Sequence, residues 1–111
     1  MKSAVDLLKD EFGCDFVEVE NPLIAAIGAV AAPFLAPSGN RLAFLFVNLS
    51  VNVIYIRPHQ APTAAIGIVT EPNGGWRSFY FKEDFTATMW DWWCVAPAGA
   101  SNLYVAEIRS K

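Results

Sequence analysis

Reactive and metal-binding side chains are scarce in this chain of 111 residues. It has two cysteines, Cys14 and Cys94, and one histidine, His59. Two thiols so far apart do not form the disulfide framework of a small secreted domain, and no Cys-x-x-Cys pair suggests a metal site. We expect each cysteine to be a small buried apolar residue, with a bridge between the two as the alternative. We expect no metal and no cofactor.

The sequence also lacks the motifs that carry catalysis. No serine stands in a nucleophile-elbow context, no Gly-x-x-x-x-Gly-Lys loop occurs, and no cluster of His, Asp and Glu has metal-ligand spacing. His59 follows Pro58 in a segment that is typical of a surface loop. The neighbouring carboxylates Glu83 and Asp84 would point in different directions in a strand. We therefore expect that the chain is not an enzyme.

Charged residues make up only 17% of the chain, and no stripe of basic residues is present. Residues 1–20 hold six acidic and two basic side chains, whereas the remainder is close to neutral, and the net charge is −3. Binding to nucleic acid requires clustered Lys and Arg to neutralise phosphates. The charge pattern therefore predicts no direct contact with nucleic acid.

A long uninterrupted apolar run is absent as well. The longest charge-free stretch, residues 21–40, contains three prolines, and its unbroken apolar part, residues 23–32, is about half of the ~20 residues that span a bilayer. Asp6 falls where the apolar region of a signal peptide would begin. We expect neither a membrane span nor export by a signal peptide.

What the chain does have is apolar side chains in excess. They make up 54% of the residues, and the mean hydropathy is +0.32. One domain of this length has a large surface for its volume and cannot hide so much apolar material in its own core. The surplus predicts contact with a partner protein or with further copies of the chain.

The first 37 residues differ in pattern from the rest. Ser3 is placed to cap a short helix that Gly13 would end, and polar and apolar residues then alternate over 15–20 as in a strand. Residues 21–37 are uncharged and contain Pro22, Pro33 and Pro37. We interpret them as an apolar arm that lies on another surface; a buried strand plus loop within the same domain is the alternative. For residues 23–32 the sequence does not distinguish helix from strand, because alanine favours a helix whereas Gly28 and the β-branched residues disfavour it.

From residue 38 onward, short β-rich runs alternate with turn residues. The runs cover residues 42–47, 51–56, 65–69, 77–81, 85–90, 92–95 and 103–108, with a strong turn signal at 71–75. This pattern is typical of a β-sandwich or barrel. The sequence thus predicts an all-β fold, one structural domain with an N-terminal helix and apolar arm (residues 1–37) and a β-sandwich body (residues 38–111).

Tryptophan is concentrated in the segment Trp90-Asp91-Trp92-Trp93. In a strand, Trp90 and Trp92 face one way, and Asp91 and Trp93 face the other. One pair should fill the core, while the other side carries an aromatic ring beside an acid. Core packing and a protein interface are the main interpretations; with Trp76, an aromatic surface for binding carbohydrate is the alternative.

Residues 40–109 show a distinctive order of strands and turns. Asn40-Arg41 leads into the apolar run of residues 42–47, which ends on Asn48-Leu49-Ser50; residues 53–58, the Gly74-Gly75 turn, an aromatic strand and Leu103-Tyr104-Val105 follow. This order resembles the small β-sandwich virion proteins of tailed bacteriophages. It is most similar to the jelly-roll-like decoration, or staple, proteins on the heads of short-tailed phages.

The resemblance implies a function without chemistry. Decoration proteins are made in the bacterial host cytoplasm, bind the outside of the head, and reinforce contacts between subunits of the major capsid protein. On this view the chain self-associates on the capsid as a dimer or trimer, and the apolar arm is its anchor. The anchoring residues would be Leu23, Ile24, Ile27, Val30, Phe34 and Leu35. A neck, tail or head-fibre base protein and a carbohydrate-binding module are the alternatives.

Overall fold

A computed structural model describes residues 3–13, 15–63 and 65–110 of the chain. Within these ranges the backbone forms eight strands, two short α-helices and one 3₁₀ turn. The strands are β1 (Phe16–Ile27), β2 (Ala32–Leu35), β3 (Arg41–Asn48), β4 (Ile54–Pro58), β5 (Ile68–Thr70), β6 (Trp76–Tyr80), β7 (Trp92–Val95) and β8 (Ser101–Ser110). The helical segments are α1 (Ala4–Phe12), α2 (Phe81–Asp84) and the 3₁₀ turn (Phe85–Met89).

The strands build two four-stranded sheets. The first sheet has the order β1-β8-β3-β6 and the second the order β2-β7-β4-β5, and neighbouring strands are antiparallel throughout. Consecutive strands alternate between the sheets except for β4 and β5, which are neighbours in the second sheet. This is the strand order of a jelly roll. The predicted all-β sandwich is confirmed.

The core lies between the sheets and is filled by side chains at alternate strand positions. Phe44 and Phe46 of β3 point inward, and so do Ile54 and Ile56 of β4. Trp92 of β7 lies at the centre, 5.6 Å from Phe44 between ring centroids. The aromatic rings of both sheets therefore interlock, and burying this large apolar area is the main favourable term for folding.

The segment that we interpreted as an arm, residues 21–37, is part of both sheets, so that interpretation is wrong. Its first part completes β1, where Ile24 is opposite Leu103 and Ile27 is opposite Ser101 of β8. Its second part is β2, which pairs with β7. Ile27 and Leu35 are buried in the core. The apolar run closes the protein's own sandwich, which was the alternative interpretation.

The segment before β7 also departs from expectation. Residues 85–90 were predicted as a strand, but residues 81–89 form α2 and the 3₁₀ turn. The polar stretch Lys82-Glu83-Asp84 suits a helical turn, and the Asp84 carboxylate accepts a hydrogen bond from the backbone N–H of Tyr80 at 2.8 Å. This local bond competes with the continuation of β6 and ends the strand at Tyr80.

The helix α1 precedes the sandwich and is capped at both ends. The Ser3 hydroxyl accepts a hydrogen bond from the backbone N–H of Asp6 at 3.2 Å, and Gly13 ends the helix with a left-handed φ of 69°. Glu11 forms an ion pair with Lys82 of α2, at 2.6 Å. The helix thus lies at the end of the molecule that carries α2.

A buried arginine joins several of these elements. Arg41, at the start of β3, has 1% of its surface exposed, and its Nε donates to the carboxylate of Glu107 in β8. Its terminal nitrogens donate to the backbone carbonyls of Thr88, Trp90 and Ala36, at 3.3, 3.0 and 2.7 Å. One side chain therefore connects β8, the 3₁₀ turn, the approach to β7 and the loop after β2.

Removing this arginine should strongly destabilise the fold. We expect Arg41→Met to lower the free energy of unfolding by about 3 kcal/mol or more, because the buried Glu107 carboxylate then keeps only the partly exposed Arg109 as a partner and three backbone carbonyls lose their donor. The matched control is Arg109→Met, since Arg109 also bonds to Glu107, at 3.1 Å, but is one-third exposed; it should cost under ~1 kcal/mol. Urea unfolding measures both, and equal losses would contradict the assignment.

Candidate interaction surface

The outer face of the first sheet is apolar over β8, β3 and β6, although the outer face of a sandwich is usually polar. Its β1 edge is charged, because Glu18 and Glu20 are opposite Ile108 and Ala106. Residues opposite each other in paired antiparallel strands point to the same side. Three rows cross this face from β8 through β3 to β6: Ile108–Ala43–Tyr80, Ala106–Leu45–Ser78 and Tyr104–Val47–Trp76. Ser78 is the one small polar residue among the nine, and none of the nine is charged. We call these nine residues the outer face.

The large residues of the outer face are exposed to solvent. The exposed fractions are 39% for Leu45, 42% for Ile108, 36% for Tyr80 and 60% for Trp76. Apolar side chains that are exposed singly are normal, but a contiguous group on one sheet face marks an interaction site. Among the described residues, four of the twelve large apolar side chains that are exposed lie together on this face, and the other eight lie elsewhere.

A trough of about 370 Å³ runs across this face. The small residues Ala43, Ala106 and Ser78 line its base. Its sides are formed by larger residues, namely Leu45, Ile108, Tyr80 and Tyr104. Glu18 of β1, which is opposite Ile108, lies at its rim. A mainly apolar depression with few polar groups suits the binding of apolar side chains.

The residues proposed as arm anchors lie elsewhere. Ile27 and Leu35 are in the core, Ile24 packs against it, and the Phe34 ring contacts Phe46 edge-on at 5.8 Å between centroids. Val30, in the turn between β1 and β2, is exposed. The side chain of Leu23 lies outside the described part of the chain. These residues do not form a common surface, because strand pairing turns alternate side chains inward.

The four tryptophans do not form a common surface either. Trp92 is buried, and its Nε1 donates to the carbonyl of Ala87 at 3.0 Å. Trp90 stacks on it from the side of the core. Trp93 lies on the outer side of the second sheet, whereas Trp76 belongs to the outer face of the first. Two of the residues expected in an aromatic surface therefore serve packing.

His59 and Asp91 form a hydrogen-bonded pair at the end of the second sheet. His59 Nδ1 is 2.7 Å from one carboxylate oxygen of Asp91, and the Nε1 of Trp93 donates to the other at 3.1 Å. The Trp93 bond and then the His59 bond lower the pKa of the Asp91 carboxyl. The His59 ring also lies 4.9 Å from that of Trp90.

The His59–Asp91 pair connects two segments of the chain at the end of the second sheet. Within residues 3–13, 15–63 and 65–110, no serine, threonine or cysteine side chain hydrogen-bonds to the His59 ring. The His59 backbone has a left-handed φ of 67°, and its N–H donates to the Asp91 carbonyl at 3.1 Å. The pair thus holds the loop after β4 onto the approach to β7.

The thiol that the structure describes, Cys94, is buried in the core beside the carbonyl of Ala32. Burial raises the pKa of this thiol to about 12, so it is not a reactive thiolate at neutral pH. Cys14 lies outside the described residues. Across the described ranges the structure holds no group of three or more His, Cys, Asp or Glu side chains suited to a metal ion. Nor does any helix within them have the length and apolar character to cross a bilayer.

The pKa of Asp91 predicts how stability depends on pH. Because the folded-state pKa is lowered below the unfolded value of about 4, the ionised carboxylate stabilises the fold above pH ~4, and this contribution is lost as the pH falls through the folded-state pKa. Asp91→Asn should therefore be less stable than the parent at pH 7, and the difference should shrink in more acidic buffer. Thermal unfolding from pH 7 to pH 2 measures it, with the exposed Glu71→Gln as control; a constant difference would contradict the prediction.

Comparison with known proteins gives one informative likeness. No family model matches the chain, and no curated protein matches it. Among solved structures, it is similar to a protein of Bacillus endospore appendages, described as a novel family of disulfide-linked pili, with a TM-score of 0.53 and 14% sequence identity. The likeness covers 86% of this chain and 88% of the other. At this identity it shows that the two proteins share a fold.

Proposed function

We propose that this chain is a structural protein that binds other protein surfaces in a repeating assembly and performs no catalytic step. The observation that carries the proposal is the apolar outer face of the first sheet. In a sandwich that works alone, such positions would be occupied by polar residues. Here Leu45, Val47 and Ile108 occupy them, next to two tyrosines and a tryptophan.

The energetics of this face suit an assembly with many copies. Burying apolar surface contributes about 25 cal/mol per Å², and association must first offset several kcal/mol of lost translational and rotational freedom. The outer face therefore supports only a weak contact by itself, through its four partly exposed large side chains, Leu45, Ile108, Tyr80 and Trp76. Repeated across a lattice, weak contacts add up to strong attachment.

The assembly that we favour is the outside of a bacteriophage head. There the protein would act as a decoration protein that binds the major capsid protein and reinforces contacts between its subunits. Two features support this: the sequence resemblance of residues 40–109 to phage decoration proteins, and the jelly-roll strand order, which is common in capsid proteins. In this proposal the outer face takes the binding role that the apolar arm was expected to have.

The second candidate is a fibre built from copies of this chain. It is favoured by the fold shared with the endospore appendage protein over most of both chains. The pili of that protein are described as disulfide-linked. Cys94 is not suited to such a link because it is buried between the sheets. A fibre of this chain would therefore rest on contacts other than a Cys94 bridge.

A charge placed on the outer face should abolish binding without unfolding the protein. Leu45→Asp should keep the melting temperature of the parent within a few degrees, because the side chain points outward, and should prevent assembly, because it introduces a charge into an apolar contact. The matched control is Val51→Asp, at an exposed position in the β3–β4 turn. Sedimentation of each purified protein, alone and with phage heads from the source strain, measures assembly.

Electron microscopy of the same samples separates the two candidates. A layer of protein on the heads supports decoration, and filaments from the purified chain alone support the fibre. If the parent stays a monomer at millimolar concentration and sediments with no heads, the proposal of a structural assembly protein is wrong.

A further inference from the structure

Phe85 combines two unusual properties. Its side chain is 79% exposed, and its backbone has φ 55° and ψ −129°. This conformation is the one found at the first central position of a type II′ turn, where glycine is the usual residue. A bulky side chain there is strained, because its Cβ crowds the backbone. Phe85 therefore stabilises neither the core nor its own turn.

Hydrogen bonds on both sides hold Phe85 in this conformation. Before it, the Asp84 carboxylate is bonded to the backbone N–H of Tyr80. After it, the 3₁₀ turn is fixed through the carbonyl of Ala87, which accepts from Trp92, and the carbonyl of Thr88, which accepts from Arg41. Strain that the surrounding structure maintains in this way is typical of functional positions. Here its effect is to project a phenyl ring into solvent.

The outer face carries a depression that such a ring fits. An apolar cavity of about 150 Å³ accommodates benzene, and the trough over Ala43, Ala106 and Ser78 is about 370 Å³. The ring and the trough are close in the chain, since Tyr80 lines the trough and α2 connects it directly to Phe85. The exposure of Phe85 means that its ring does not occupy the trough of its own chain.

We propose that the Phe85 ring of one copy inserts into the outer-face trough of a second copy. The inference rests on the proposed function of a protein that assembles, and it names a further copy of this chain as one partner. Two copies related by a two-fold axis each contribute one ring and one trough. Exposed aromatic rings that enter a pocket are the usual anchors of protein interfaces.

The size of the outer face explains why the ring is needed. Three strands about 4.8 Å apart and five residues at about 3.4 Å each give a face of roughly 250 Å². A stable complex buries roughly 800 Å² on each partner. The sheet face alone is too small for a stable dimer, and the α2 segment with Phe85 is the neighbouring surface that enlarges it. Self-association should accordingly be weak, in the micromolar range or above.

Two measurements on variants of Phe85 distinguish the effect of backbone strain on stability from the effect of the phenyl ring on self-association. Phe85→Gly should raise the melting temperature, because glycine adopts the left-handed conformation without strain, and should weaken self-association at least tenfold. Ala106→Phe should fill the trough, leave the core unchanged, and weaken self-association similarly. Val51→Gly, also at an exposed apolar residue, is the control and should associate like the parent. Sedimentation equilibrium of the full chain measures association.

A mixture of the two variants gives the sharpest result. Phe85→Gly keeps its trough and Ala106→Phe keeps its ring, so equal amounts together form one of the two ring-trough contacts and should associate more strongly than either variant alone. If Phe85→Gly associates like the parent, or if Ala106→Phe has no effect, the inference is wrong. A parent that is monomeric alone but binds phage heads would overturn this inference and leave the proposed function standing. A parent that does neither would overturn both.

Discussion

The buried guanidinium of Arg41 is the constraint on which the rest of the structure depends. Removing a charge from water is costly, and the cost is offset only when every donor finds an acceptor in good geometry. Arg41 therefore requires Glu107, Ala36, Thr88 and Trp90 to be in place together. These acceptors fix β8 against β3, which sets the rows of the outer face, and they fix the turn that projects Phe85. The two parts of the proposed interface are thus positioned by one side chain.

Much of the fold could be predicted from the sequence, because strand-length apolar runs separated by turn residues indicate a sandwich without any knowledge of contacts. The apolar segment of residues 21–37 could not be assigned, since a strand that completes its own core and an arm that lies in a partner's groove need the same uncharged residues. The outer face was missed for a related reason. The run that becomes β3 is apolar at successive positions, so its pattern does not reveal that Leu45 points outward and Phe46 inward.

The candidate surface thus differs from the expected arm, and the proposed function now rests on the outer face instead. Sequence reasoning placed the apolar interaction surface in an arm, because composition indicates how much apolar surface exists and not where it lies. The fold places Ile27 and Leu35 in the core, and it exposes Leu45, Ile108, Tyr80 and Trp76 on a sheet face that has small residues at its centre. In the proposed assembly, a sheet face with a neighbouring aromatic side chain would lose less backbone freedom on association than an arm would.

The pairing of β1 with β8 has a consequence for how the chain reaches its native state. These strands lie at opposite ends of the described sequence, so β1 has no partner in its sheet until β8 has left the ribosome. Contacts of such long range make folding slow and leave apolar segments open to wrong associations in the meantime. Until β8 is synthesised, the backbone groups with which β1 pairs in its sheet are absent, so this strand is most open to other contacts during biosynthesis.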